Sequence, residues 1–289
     1  MHTRTTRLPL YAAGLTAILV TALTACGSAP GATSTSTAAA ATPLDEVRLA
    51  AQTSNAASSF TGTLSLRATA KTGRTGSLTL IASFAEQLRP SVLVQINVQS
   101  MSASGVPVPG GMTEIISPAT LYLKWSYLTQ LLHTAKPWLK IPLSTGSKSS
   151  GVNLSQIFSQ ATRSSPLTES QLLAGATSVQ KVGTGTVAGD PVTEYTGTLP
   201  LDKGATYLPA SVRRQVLKEL SAAGFTTAAF TVWIDGKNTV RKSIITEHGT
   251  ALSETATTTI TSMNQPVNVQ IPAASQSSSL PAGGLGSLG

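Results

Sequence analysis

The sequence predicts an α+β fold, in which an antiparallel β-sheet carries a few helices on one face. Several segments alternate apolar and polar residues with a period of two, which is typical of strands that bury one face. Short turn sequences, such as residues 235–238, favour an antiparallel meander over parallel strands. Other segments have helical spacing and recognisable end signals. Because each helix must bury its apolar stripe, we expect the helices to pack against one face of the sheet.

The chain begins with a segment that has the organisation of an export signal. Arg4 and Arg7 precede an uncharged apolar run, residues 8–25, which is diluted by threonine and marginal in length for crossing about 30 Å of hydrocarbon. Small residues precede Cys26, the only cysteine of the chain, as at a lipoprotein signal peptidase site. Lipidation needs a thiolate nucleophile, which this cysteine supplies. We therefore expect residues 1–25 to be a signal peptide and Cys26 to be the lipidation site.

The next segment is expected to connect the lipid anchor to a folded domain. Residues 26–42 are rich in alanine, serine and threonine, so we interpret them as the lipidated N-terminus and a flexible tether of about 20 to 25 Å. Two or three acyl chains would hold the protein firmly on the extracytoplasmic face of the cell membrane. Residues 43–274 then form a single domain, and residues 275–289, rich in serine and glycine, are expected to be disordered.

Charge and cysteine content exclude several classes of protein. The chain has 20 basic and 12 acidic residues, and 18 basic residues remain once Arg4 and Arg7 leave with the signal, a formal charge of +6. A basic surface suits an anionic membrane or cell wall, whereas the scattered basic residues and the export signal argue against nucleic acid as a partner. One cysteine cannot form an internal disulfide. The domain must therefore be stable through its hydrophobic core.

The predicted elements follow the chain in order. A helix is expected to begin after Thr42, with Pro43 at its first position and two acidic residues in its first turn. Further helices are predicted after Asn153, over residues 167–173, and from Pro209 to a C-terminal glycine, Gly224. The apolar faces of the predicted strands are formed by Phe60, Gly62, Leu64 and Leu66; Leu78, Leu80, Ala82 and Phe84; Val92, Val94, Ile96 and Val98; Leu121, Leu123 and Trp125; and Phe230, Val232 and Ile234.

These features together carry a family resemblance. The resemblance covers residues 43–272 and rests on the cysteine after the signal, the opening helix, and four segments in a characteristic order: residues 121–123, 137–141, 172–197 and 230–235. In this order they resemble the mycobacterial LppX/LprAFG lipoproteins. The resemblance implies a LolA-like half-barrel, in which a curved antiparallel sheet carries its helices on the concave face and encloses an apolar cavity for acyl chains. The chain departs from that pattern through an insertion at residues 127–136 and a long polar C-terminal tail.

The most apolar stretch of the mature chain locates a candidate cavity wall. Residues 90–135 contain two full charges, Glu114 and Lys124, among many aliphatic residues. Ligand pockets are concave, mostly apolar and sparsely polar, so this stretch is expected to contribute to the wall, although an ordinary core would have the same composition. The candidate lining residues are Val92, Val94, Ile96, Val98, Leu121 and Leu123.

No residue pattern indicates catalysis. Short fragments that match motifs of penicillin-recognising serine enzymes occur in the wrong order, and Ser178 lies in a predicted strand. The histidines and acidic residues show no metal-ligand spacing, so no metal and no cofactor are expected. Two functions remain open for a protein expected to be a monomer. It either binds or transfers membrane lipids or glycolipids, with a membrane transporter as a possible partner, or it is a non-catalytic envelope scaffold for a membrane protein.

Overall fold

The computed structural model describes residues 41–71, 76–108, 111–142 and 165–279. The predictions for the signal peptide, for Cys26, for most of the tether and for the helix after Asn153 lie outside these residues. The described residues belong to one unit, residues 41–289, which has its own core.

Helices and strands alternate along the unit in blocks. The helices are α1 (Pro43–Asn55), α2 (Ser126–Leu131), α3 (Pro166–Leu173), α4 (Leu201–Ala205) and α5 (Ala210–Ala223), with a 3₁₀ turn at Ala274–Gln276. The strands are β1 (Ser59–Ala70), β2 (Ser77–Gln87), β3 (Leu93–Ala103), β4 (Val106–Pro107), β5 (Met112–Ile116), β6 (Thr120–Lys124), β7 (Trp138–Pro142), β8 (Ser178–Val187), β9 (Asp190–Pro200), β10 (Thr227–Asp235), β11 (Val240–His248), β12 (Leu252–Met263) and β13 (Ser277–Ser279).

All of these strands join one 13-stranded sheet. Its order is β13-β7-β6-β5-β3-β2-β1-β12-β11-β10-β9-β8, with β4 paired to β3. Neighbouring strands are antiparallel except β13, which runs parallel to β7. The predicted α+β class is therefore confirmed, and β1, β2 and β3 form an antiparallel meander, as the sequence indicates.

The helices pack against one face of the sheet, which we call the helix-covered face. Residues of α1, α3, α4 and α5 form a single hydrophobic cluster with the inward residues of β9, β10 and β11. Its aromatic strand residues, Tyr195 and Phe230, are both buried. The cluster contains Val47, Ala51, Leu172, Leu173, Leu201, Val216, Leu220, Tyr195, Leu199, Phe230, Val232 and Ile245, among others.

The helix ends agree with the sequence signals. Thr42 and Asp45 form a capping box at α1, because the amide of Asp45 donates to the Thr42 hydroxyl and the amide of Thr42 donates to the Asp45 carboxylate, each at 3.2 Å. Helix α5 ends at Gly224, whose φ of 74° is a left-handed conformation that favours glycine. A side chain there would also meet Thr250 at 2.2 Å.

Two predicted boundaries differ from the structure. Trp125 does not extend strand β6 but precedes helix α2. The segment predicted to be disordered from residue 275 begins with ordered residues, since β13 pairs with β7 at one edge of the sheet. Lys136 supports this end of the chain by donating to the carbonyl oxygens of Ala274 and Ser277 at 3.0 and 3.1 Å. The three serines of β13 show no alternation, so backbone pairing at an otherwise open edge explains a strand that the sequence did not indicate.

Candidate functional site

The inward residues of β1–β3 and β5–β7 form one continuous apolar wall. Cross-strand partners share a face of a sheet, so the pairing register shows which residues stand side by side. One row across the strands runs Gly62, Phe84, Ile96, Glu114, Leu123 and Leu139. The next row runs Phe60, Glu86, Val94, Ile116, Leu121 and Ile141. We call the inward residues of these strands the apolar wall.

The structure brings five of the six predicted lining residues together on this wall. Leu121, Leu123 and Val98 are buried, and Val94 and Ile96 are half-buried. Helix α2 contacts the wall through Leu128, which packs in one cluster with Leu123 and Leu139. The wall therefore belongs to the helix-covered face.

Val92 is the exception, because the structure does not place it on the apolar wall. It is 46% exposed and lies in the connection between β2 and β3. The physical reason is the end of β2, because the last pair of this hairpin joins Gln87 to Leu93 and leaves Val92 beyond the ladder. The alternation of apolar and polar residues extends to Val92, whereas the pairing of β3 with β2 ends at Leu93.

Buried glutamates are the feature of this face that the sequence analysis missed. Five glutamates are buried on the helix-covered side: Glu86, Glu114, Glu169, Glu247 and Glu254. Glu86 continues the alternation of β2 after Phe84, and Glu114 faces inward from the middle of β5, so their positions could have been recognised. Glu169 is contributed by helix α3, and the other two are cross-strand partners on β11 and β12.

These carboxyl groups differ in their hydrogen bonding. Glu169 accepts from the hydroxyls of Ser243 and Thr258 at 2.7 and 3.0 Å, which fixes α3 against β11 and β12. Glu86 accepts from the hydroxyl of Ser165 at 3.0 Å. Glu114 makes no hydrogen bond or ion pair with any residue that the structure describes.

Burial changes the acid–base behaviour of three of these groups. It raises the pKa of Glu86, Glu114 and Glu169 from 4.5 to about 7, since removal from water disfavours the charged form. At Glu169 the hydroxyls of Ser243 and Thr258 oppose this rise in pKa, while the nearby carboxyls of Glu86 and Glu247 add to it. Near neutral pH these side chains can therefore both donate and accept hydrogen bonds.

Cavities beneath helix α3 are small in this conformation. One of about 10 Å³ lies between Ser54, Phe60 and Glu169, and another of about 20 Å³ is lined by Glu169, Glu247 and Glu254. Each has room for about one water molecule, whereas ligand pockets usually measure about 300 to 1,000 Å³. These cavities have no room for an acyl chain.

A larger cleft lies outside the apolar wall. It has a volume of about 480 Å³, is open to solvent, and is bordered by Glu46 of α1, Tyr195 of β9 and the turn that contains Asp235. Three of its polar side chains have partners within the protein: the Tyr195 hydroxyl donates to Glu46, and Asp235 accepts from the amide and hydroxyl of Thr239 at 3.0 and 2.7 Å. The cleft is a polar groove whose side chains stabilise the turn and α1.

Metal-binding clusters and membrane-spanning helices are both absent from the described residues. No group of three or more histidine, cysteine, aspartate or glutamate residues there is arranged to hold a metal ion. Within the same residues, no helix has both the length and the apolar character needed to cross a bilayer.

Comparison with known proteins identifies the fold. No family model and no curated protein sequence matches the chain. Among solved structures it is similar to LprF from Mycobacterium bovis, with a TM-score of 0.50 and 10% identity over 80% of this chain and 97% of LprF. It is also similar to the lipoprotein LppX from Mycobacterium tuberculosis, with a TM-score of 0.46 and 21% identity over 78% of this chain and 97% of LppX. The match to LprF confirms the predicted α+β fold.

Proposed function

We propose that this protein is a lipid-anchored extracytoplasmic lipoprotein that binds lipids or glycolipids against the apolar wall and transfers them. The proposal rests on one observation. The inward positions of β1–β3 and β5–β7 are apolar except for Glu86 and Glu114. Helix α2 packs on this wall. LppX, which is named a lipoprotein, has a similar structure. Cys26 would carry the anchor, and a membrane transporter is the expected partner.

Lipid binding requires the wall to open, and helix α2 is the element best suited to move. It has six residues, and its one buried side chain is Leu128, while Tyr127 and Leu131 are exposed. Its displacement would uncover Leu123 and Leu139, which Leu128 covers. Acyl chains would replace these contacts and contribute about 25 cal/mol per Å² of apolar surface removed from water.

A second function is favoured by the small cavities. Volumes of about 10 and 20 Å³ beneath α3 are those of a packed core, which suits a non-catalytic scaffold that presents its surface to a membrane partner. The two functions differ in whether lipid occupies the protein. A scaffold keeps its core closed, whereas a carrier holds lipid after purification.

Lipid extraction followed by mass spectrometry tests the proposal. The protein without residues 1–26 is purified from an actinobacterial host, and we expect about one lipid molecule per chain. Val94→Phe, on the wall, should reduce that lipid while costing less than about 1 kcal/mol of stability, because Val94 is only half-buried and the larger ring is not forced into a close-packed core. Ile81→Phe is the matched control, since Ile81 is 42% exposed on the opposite face of β2, and it should leave the lipid content unchanged.

Two results would contradict lipid binding at the wall. The first is the absence of any co-purified lipid from the unmodified protein. The second is a Val94→Phe protein that loses about 1 to 3 kcal/mol of stability, as in a close-packed core, with its lipid content unchanged. Either result would favour the scaffold.

A further inference from the structure

Glu114 places a carboxyl group among aliphatic residues of the apolar wall. It is 6% exposed, and its cross-strand partners are the aliphatic residues Ile96 and Leu123. Among the described residues it has no hydrogen-bond or ion-pair partner. Buried polar groups in proteins are nearly always hydrogen-bonded, because removal from water without a partner is costly. Glu114 therefore has a carboxyl group that a partner from outside the described chain can bind.

The charges around the wall restrict the chemistry of that partner. Glu86 is the second polar side chain on the wall, and the inward positions of these strands carry no lysine or arginine in the part of the chain that the structure describes. Lys124 lies on the opposite face of β6 and β7. Its Nζ atom is 5.9 Å from the ring centre of Trp138. Among the described residues, an anionic head group would therefore meet carboxyls here and no basic partner.

We propose that Glu114 binds the polar head group of the transported lipid, and that this lipid is neutral with hydroxyl groups that donate hydrogen bonds, not an anionic phospholipid. The inference rests on the proposed function, because it assigns the lipid class for the same site. Hydroxyl donors satisfy the carboxylate oxygens that the protein leaves without a partner. The raised pKa of Glu114 is consistent with this assignment, since a carboxyl that is partly protonated near neutral pH can also donate to a hydroxyl oxygen.

The two possible roles of Glu114 predict different effects of the same substitution. If Glu114 serves ligand binding, Glu114→Leu replaces an unpartnered buried carboxyl by an apolar side chain, and the protein keeps or gains stability while losing affinity. If Glu114 supports the fold, Glu114→Leu destabilises the protein. Glu114→Gln keeps hydrogen-bonding capacity, so it should retain part of the affinity.

The experiment compares two lipids with the same acyl chains, monoglucosyl dioleoylglycerol and dioleoylphosphatidylglycerol, in a binding assay on the protein without residues 1–26. We expect the unmodified protein to bind the glucosyl lipid about ten-fold more tightly, and Glu114→Leu to remove this preference without lowering the denaturation midpoint. Glu219→Leu, which removes a carboxyl on helix α5 outside the wall, is the control and should keep the preference.

The outcomes separate this inference from the proposed function. If both lipids bind equally well to the unmodified protein and to Glu114→Leu, the head-group assignment is overturned and the carrier function stands. If Glu114→Leu lowers stability and leaves the preference unchanged, Glu114 has a structural role and the assignment is likewise overturned. If neither lipid binds to the unmodified protein, the carrier function fails and the assignment falls with it.

Discussion

Replacing Glu169 by glutamine should change how the stability of the protein depends on pH. Helix α3 places this carboxyl between Ser243 and Thr258, where burial raises its pKa from 4.5 to about 7. Because the folded-state pKa lies above that of the unfolded chain, the folded protein binds more protons between these values. The stability contributed by the protonated form is complete below about pH 4.5 and is lost as the pH rises through about 7.

The size of this stability difference follows from the pKa shift of Glu169. A difference of about 2.5 pKa units corresponds to about 3 kcal/mol, at about 1.4 kcal/mol for each unit. Glutamine has the shape of the protonated carboxyl and can still bond to Ser243 and Thr258. Glu169→Gln should therefore match the unmodified protein near pH 4 and exceed its stability by about 3 kcal/mol near pH 8.

Urea denaturation at a series of pH values measures this difference. Asp45→Asn is the control. The side-chain hydrogen bond from Thr42 is the largest of the interactions that lower the pKa of Asp45 below 3.8, so its stability contribution is lost only as the pH falls through that lower value. This control should keep the slope of the unmodified protein between about pH 5 and 8. Equal slopes for Glu169→Gln and the unmodified protein would refute the assignment of a buried, proton-binding carboxyl to α3.

Three further predictions concern the sheet, the first helix and the anchor. Gly62→Ala should cost about 1 to 3 kcal/mol in urea denaturation, because a Cβ there would lie 2.7 Å from the Phe84 ring, whereas Gly183→Ala meets nothing within 4 Å and should be close to neutral; equal costs would contradict the packing of β1. Thr42→Ala should cost about 1 kcal/mol by removing the capping box of α1, and an unchanged denaturation midpoint would show that the box contributes nothing. Cys26→Ser should leave unprocessed precursor and abolish labelling by a radioactive fatty acid, and persistent labelling would exclude this residue as the lipidation site.

Local signals explain which parts of the fold could be predicted. The strict alternation of β1 and β2 fixed both their faces and their pairing, because a one-residue slip would turn every apolar side chain outward. Thr42 and Gly224 marked helix ends through their own backbone chemistry. By contrast, β13 depends on the open edge of β7 and on Lys136, which are distant in sequence from its three serines.

The alternation of apolar and polar residues does not mark every buried position of β11 and β12. Inward positions of β11 and β12 carry Ser243 and Thr258 as well as aliphatic residues, so polarity there does not mark the exposed face. Glu169 becomes buried only because α3 packs against these two strands, a contact between segments more than 70 residues apart. Burial of a glutamate by tertiary contacts leaves no periodic signal in its own segment. The apolar wall and its two glutamates, Glu86 and Glu114, follow the alternation of their strands, whereas the burial of Glu169 could be seen only in the structure.

Photo-crosslinking tests most directly whether acyl chains bind against the apolar wall. A lipid with a diazirine in its acyl chain is bound to the protein without residues 1–26, irradiated, and the attached peptides are identified by mass spectrometry. Lipid binding at this site predicts crosslinks at Val94, Ile96, Leu121 and Leu123, which share the wall in the pairing register. Crosslinks confined to exposed apolar residues outside it, such as Ile81, would contradict it.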